Sequence, residues 1–221
     1  MTHFVYVLGT GSRWADNELR YSLRSLSNVA GEHEVWVVGY HPPWLKNVRH
    51  ISCTDIGSNP IVNVCRKMLF ALDLLPEEFT WMNDDFYIVR PVDSIPLLHN
   101  GAMRDRLKSL TSRNTYANAF RETYDILRLL QVEQPVRYDI HLPFPMSKAG
   151  LKELPVAWPS GRFSLKNLYG NLIHEGRGAP GHDVKAGMPL PQWSFWSSPT
   201  VLHRNAKQFL IRKLPMRSYY E

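Results

Sequence analysis

An α/β chain built on a mostly parallel, doubly wound sheet is the fold class this sequence predicts, and three observations predict it. Short apolar runs rich in β-branched and aromatic residues recur at residues 4–8, 34–39 and 79–89. Helical patterns fall between them, with Leu19, Leu23 and Leu26 on one face and Val64, Met68, Leu69 and Leu72 on another. The runs give way to turn-forming residues, as in Gly9-Thr10-Gly11-Ser12 and His41-Pro42-Pro43-Trp44. Strands alternating with helices require crossover connections, and such sheets take ligands at the carboxyl ends of their strands.

In order along the chain, residues 4–8 form the first strand, and Asp16 or Asn17 caps a helix that runs to about residue 29. Residues 34–39 form the second strand, and residues 48–52 a short third one ending at Asp55. A helix fills residues 61–74, and residues 79–89 form two apolar stretches divided by Asn83-Asp84-Asp85. Beyond residue 100 the pattern changes: residues 102–110 and 116–132 read as helices, and residues 138–142 and 192–196 are the best strand candidates in a stretch rich in Pro, Gly, Trp and His. With no linker, repeat or low-complexity segment, the chain is read as a single domain, 1–221. Residues 1–100 form its nucleotide-binding half and residues 101–221 its acceptor-binding half.

A chain of 221 residues with 44% hydrophobic and 21% charged residues supports a conventional core and is neither disordered, collagen-like nor coiled-coil. Cys53 and Cys65 lack the spacing of a zinc or redox pair and are too few for a disulfide framework, which points to a reducing cytoplasm. The first eight residues carry no cationic leader, and no apolar run approaches the roughly 20 residues that span a bilayer. The formal charge of +6 favours anionic partners such as nucleotides, nucleic acid or a membrane surface.

The sharpest chemical feature is Asn83-Asp84-Asp85, two adjacent acids between apolar runs. An ionised carboxylate buried without a partner costs several kcal/mol or more, so a counter-charge is required. On an extended segment Asn83 and Asp85 share one side and Asp84 faces the other. A hard cation such as Mn²⁺ or Mg²⁺, bridging to a substrate diphosphate, satisfies Asp85 and leaves Asp84 for a ribose or a metal-bound water. The plainer alternative is a solvated turn, or salt bridges to nearby arginines.

These residues resemble known families. Asn83-Asp84-Asp85 between strands is similar to the DxD-type motif of GT-A glycosyltransferases, with Asn83 in place of the first acid. The stretch 82–87 is closer still to the Asn-Asp-Asp signature of the Stealth sugar-phosphate transferases. Residues 18–26, 35–39 and 43–45 resemble that family's amino-terminal block, and residues 141–145 its His-x-Pro block. Residues 214–221 look like the ending of small phage-encoded glycosyltransferases. The resemblance implies a GT-A-like, Rossmann-like sheet and assigns the loop containing Gly11, Ser12 and Arg13 to nucleotide binding, with Arg13 on the diphosphate. GT-A enzymes often supply a later His as a third metal ligand, and His182, in a Gly-rich stretch, is the counterpart here. Asp183 beside it is then the general base of an inverting reaction.

Four further groups come from the residues themselves. Asn63 and Lys67, four apart on a helix, share a face that reaches a base or phosphate, or else a solvated polar face. His141 shares a strand face with Asp139, a pairing that orients an imidazole for proton transfer. Trp158, Tyr169, Trp193, Phe195 and Trp196 offer stacking surfaces or core, and residues 204–217 read as a basic amphipathic helix.

The expectation is a cytoplasmic, metal-dependent glycosyltransferase that moves a sugar from a nucleoside diphosphate sugar to a hydroxyl acceptor. Asp85, Asp84 and His182 hold Mn²⁺ or Mg²⁺, Arg13 and Lys67 assist the phosphates, and His141 or Asp183 manages the acceptor proton. Hydroxymethylated DNA of a phage and a polysaccharide are both candidate acceptors. The alternatives are a Stealth-like transferase of sugar-1-phosphate with His141 near the phosphoryl group, and a non-catalytic nucleic-acid-binding module.

Overall fold

The computed structural model describes residues 1–10, 12, 14–155, 162–181, 194–197 and 204–221, with Arg204 and Asn205 described by backbone alone. The first half runs β1 (Thr2–Leu8), α1 (Asn17–Ser25), β2 (His33–Gly39), β3 (Arg49–Ile51), α2 (Pro60–Ala71), β4 (Glu78–Met82), β5 (Phe86–Ile88) and β6 (Leu98–His99). There follow α3 (Met103–Ser109), α4 (Thr115–Leu129), β7 (Phe144–Ser147), α5 (Lys148–Glu153), α6 (Leu165–Leu172), β8 (Ala179–Pro180), β9 (Phe195–Ser197) and α7 (Arg204–Lys213).

The central sheet has the order β3-β2-β1-β4-β7. Its first four strands are parallel, and β7 joins the edge antiparallel to β4. Period-two alternation sends the side chains of β1 into two separate cores. Phe4, Tyr6 and Leu8 pack with Leu19, Leu23 and Leu26 of the α1 layer, while Val5 joins Cys65, Met68 and Ala71 of α2 on the opposite face. Helices on both faces make the sheet doubly wound, as the alternating pattern requires.

Local chemistry accounts for the element ends. Asn59 caps α2 by accepting from the backbone N–H groups of Ile61 and Val62 at 3.0 and 3.3 Å, and Pro60 fills the first helical position. At α1 the expected side-chain cap is absent: Asp16 stands in a left-handed conformation, and the Ser12 hydroxyl accepts from its backbone N–H at 2.7 Å. Gly39 closes β2 at φ +109, where a Cβ would meet the Leu8 carbonyl oxygen at 2.3 Å, so the end of β2 can lie against the end of β1 only as glycine.

The second half departs from expectation. Residues 138–142 are not a strand, because their backbone groups bond to side chains of α6 instead of to a neighbouring strand. The edge strand lies further on, at β7. Tyr169, Phe195 and Trp196 are buried in the core and offer no stacking surface, whereas Trp158 and Trp193 lie outside the described residues. The carboxy-terminal helix is amphipathic as expected. Leu210 of α7, followed by Leu214, packs on Tyr87 and Trp196, and the Lys207 ammonium lies 5.2 Å from the centre of the Trp14 ring. Among the described residues, no helix is long and apolar enough to cross a membrane.

Candidate active site

The strand order reverses around β1. The chain leaves β1 through α1 to β2 on one side and returns through α2 to β4 on the other, so the carboxyl ends of β1 and β4 border the crevice where doubly wound sheets bind ligands. Asn83-Asp84-Asp85 occupies that position. It is a tight turn, closed by the backbone N–H of Phe86 donating to the Asn83 carbonyl at 3.2 Å, and not the extended run expected. Beneath it the Ser22 hydroxyl of α1 donates to the Phe86 carbonyl at 2.6 Å and takes the Tyr6 hydroxyl at 2.9 Å, which ties turn, helix and β1 together.

The two acids have different surroundings. Asp84 lies toward the α1 side, where burial, then the charges of Asp85, Glu18 and Asp16, push its carboxyl up to about 7. Asp85 stands beside His141, with Nδ1 and Oδ2 3.6 Å apart. His141 and Asn83 line a cleft of about 380 Å³ with Trp81, Phe86, Tyr116 and Phe163. The proposed Asp139–His141 pair is therefore corrected. Asp139 accepts from Tyr116 Oη at 2.5 Å and from Arg137 Nε at 2.9 Å, and His141 has Asp85 as its acidic neighbour.

The other expected ligands take up duties of their own. Ser12 donates to Glu18 at 2.7 Å and accepts from the backbone of Trp14 and Asp16, so its hydroxyl closes the loop after β1. Lys67 is buried, donating to the Leu8 carbonyl at 2.5 Å and pairing with Asp55 at 2.7 Å. Asn63, also buried, accepts from the Ile56 N–H and donates to the Gly57 carbonyl. Neither forms a solvated face: both strap the rim of the crevice from below. Gly11, Arg13, His182 and Asp183 lie outside the described residues.

The donor set suits a hard cation. Carboxylate oxygens are the preferred ligands of Mn²⁺ and Mg²⁺, and the charges of Asp85, Glu18 and Asp16 that raise the Asp84 carboxyl are all negative. Among the described residues no three His, Cys, Asp or Glu side chains form a ready-made cage. Mg²⁺ bound by one or two carboxylates, with substrate phosphates and waters completing its shell, needs no such cage.

Sequence reasoning missed Lys166, Asn167 and Asn171, which hold the segment bearing His141. One signal was present: two asparagines four apart interrupt the apolar pattern of α6.

No protein-family model matches the chain. Residues of this chain are 24% identical over 177 positions to the capsular polysaccharide phosphotransferase LcbA of Neisseria meningitidis, covering 70% of this chain and 48% of that protein. The chain thus spans about half the length of that relative. Among solved structures, the glycosyltransferase GlyE of Streptococcus pneumoniae TIGR4 aligns over 82% of this chain and 45% of its own in the apo form, at 10% identity and a TM-score of 0.31. A second GlyE structure aligns over 81% and 64%, at the same identity and score. The chain is similar in sequence to a capsular polysaccharide phosphotransferase, on a mixed α/β fold with a parallel-dominated sheet.

Proposed function

We propose that the chain is a transferase that passes sugar-1-phosphate from a nucleoside diphosphate sugar to a hydroxyl of a saccharide acceptor. One observation carries the reading: an Asn-Asp-Asp turn at the switch point of a doubly wound sheet, with a histidine against its second acid. The similarity to a phosphotransferase favours transfer of the phosphoryl-linked sugar over transfer of the sugar alone.

In this reading Asp84 and Asp85 hold Mn²⁺ or Mg²⁺, which offsets the negative charge that gathers on the leaving phosphate. His141, steadied by Asp85 through Nδ1, accepts the proton of the acceptor hydroxyl. The hydroxyl oxygen forms a bond to the phosphorus that carries the sugar, the bridging P–O bond of the diphosphate breaks, and a nucleoside monophosphate leaves. Buried Lys67 ties Asp55, which follows β3, to the Leu8 carbonyl at the end of β1, and the cleft beside His141 admits the acceptor.

The test is the identity of the released nucleotide. Incubation with a panel of nucleoside diphosphate sugars, Mn²⁺ and capsular oligosaccharides is expected to give a nucleoside monophosphate. A nucleoside diphosphate would mean that the bond to the sugar carbon breaks instead, making the protein a glycosyltransferase.

A further inference from the structure

His141 stands at the centre of a three-residue turn, with the Leu142 N–H donating to the Ile140 carbonyl at 2.9 Å. At its start Arg137 exchanges backbone hydrogen bonds with Asn100 and Gly101, at 2.8 and 2.9 Å, and from Tyr138 onward the backbone is held by side chains of α6. Asn171 accepts from the Val136 N–H at 2.7 Å and donates to the Val136 carbonyl at 2.8 Å. Asn167 accepts from the N–H groups of Tyr138 and Asp139 at 2.6 and 3.0 Å. The Lys166 ammonium donates to the carbonyls of Ile140 at 3.3 Å and Leu142 at 2.7 Å, the residues on either side of His141. Gly170 lets the helix come this close, since a Cβ there would lie 2.2 Å from the Tyr138 ring.

A buried lysine is expensive unless its charge is well solvated by the protein. Lys166 is 7% exposed, and besides the two carbonyls it lies 4.5 Å from the centre of the Phe86 ring and 5.4 Å from that of Trp81. Methionine or leucine would fill the same space without that cost. A cation stands here, and among the described residues its hydrogen bonds to the Ile140 and Leu142 carbonyls bracket a single residue.

We propose that Lys166 is the positioning residue of this site: by gripping the Ile140 and Leu142 carbonyls it sets the His141 imidazole against Asp85. This rests on the reading of His141 as the proton acceptor. It separates the clamp into two duties, with Asn167 and Asn171 holding the segment and Lys166 aiming one side chain.

Lys166→Met keeps the length and apolar stem of the side chain and removes both donors, while Lys166→Arg keeps charge and donors. Asn171→Ser weakens the same clamp five residues from His141 and serves as the control for general loosening. In the full chain, Lys166→Met is expected to cut kcat for nucleotide release by about 10–100-fold. The donor KM should stay within about twofold, with Lys166→Arg restoring most of the rate. Independently of activity, the imidazole Cε1–H resonance of His141, assigned with His141→Gln, is expected to move in Lys166→Met and to stay in place in Asn171→Ser. An unchanged resonance and rate in Lys166→Met overturns the proposal, as does an equal displacement in both variants. Should Lys166→Met fail to fold, Lys166→Gln is judged by the same criteria. If the wild-type protein releases no nucleotide from any donor, the transfer reading falls, and the resonance alone decides the role of Lys166.

Discussion

The β1–β4 sheet and the 136–142 segment face the same problem, how to satisfy a backbone buried against helices, and they solve it differently. In the sheet, each strand bonds to a neighbouring strand, and β1 is paired with β2 along its whole length and with β4 from Phe4 to Tyr6. In the segment, Arg137 bonds to neighbouring backbone, at Asn100 and Gly101, and the side chains of Lys166, Asn167 and Asn171 hold the residues around it. A sheet repeats, so a single changed side chain leaves its ladder standing. In a clamp of three side chains each one holds a different stretch of backbone. The first arrangement gives a rigid floor, and the second gives a segment whose shape individual residues can set, which is what a reacting imidazole needs.

The largest expected effect falls on the clamp. Asn167→Ala leaves the N–H groups of Tyr138 and Asp139 without their acceptor, at a cost of about 2–4 kcal/mol, measured by urea unfolding. A loss below about 1 kcal/mol would show that the segment does not depend on side chains in this way.

The next effect arises where the regular half breaks its own rule, at the turn that ends β4. Asp84 has its carboxyl raised to about 7 from an ordinary value of 3.8, so between these values the folded state holds a proton that the unfolded state has released. Its contribution to stability therefore falls as pH rises from about 4 to about 7. With chelator present, Asp84→Asn is expected to be more stable than the wild type at pH 8 by about 2 kcal/mol, discounted for the open side of the crevice. The advantage should vanish at pH 4. Equal stabilities of the two proteins at pH 8 would remove the case for a carboxylate in need of a cation.

The smallest effect belongs to the sheet's outer edge. Arg49 of β3 pairs with Glu34 at 2.9 Å on the surface, and Arg49→Ala should change stability by less than about 0.5 kcal/mol. A larger loss would mean that side chains support the sheet as well, and the contrast between the two regions would weaken.

The same contrast explains what the sequence made legible. β1, β2 and β4 could be read because alternate apolar residues report a sheet with helices on both faces, and α2 because a 3.6-residue apolar stripe marks its inner face. The Asn83-Asp84-Asp85 turn stood out because acids between apolar runs demand an explanation. Residues 138–142 read as a strand in the sequence because alternation identifies exposed and buried sides but not the partner of the backbone. Much of that partner lies about 30 residues downstream in α6, where Asn167 and Asn171 interrupt the apolar pattern without showing which backbone they hold. For the same reason Asp139 was given to His141: spacing along a strand cannot reveal that Arg137 and Tyr116 reach its carboxylate first. Lys67 reads as an open cation in the sequence since its four-residue spacing from Asn63 does not show the carbonyl of Leu8 and the carboxylate of Asp55 that it meets.

The central claim is that the crevice between β1 and β4 grips a diphosphate through a cation held by Asp84 and Asp85. Calorimetric titration with a nucleoside diphosphate sugar, with and without Mn²⁺, tests it most directly in the wild type and in Asp85→Asn. The account predicts binding that requires Mn²⁺ and weakens at least about tenfold in Asp85→Asn, with the fold intact. Donor binding of equal strength in chelator, or undiminished in the variant, would contradict it.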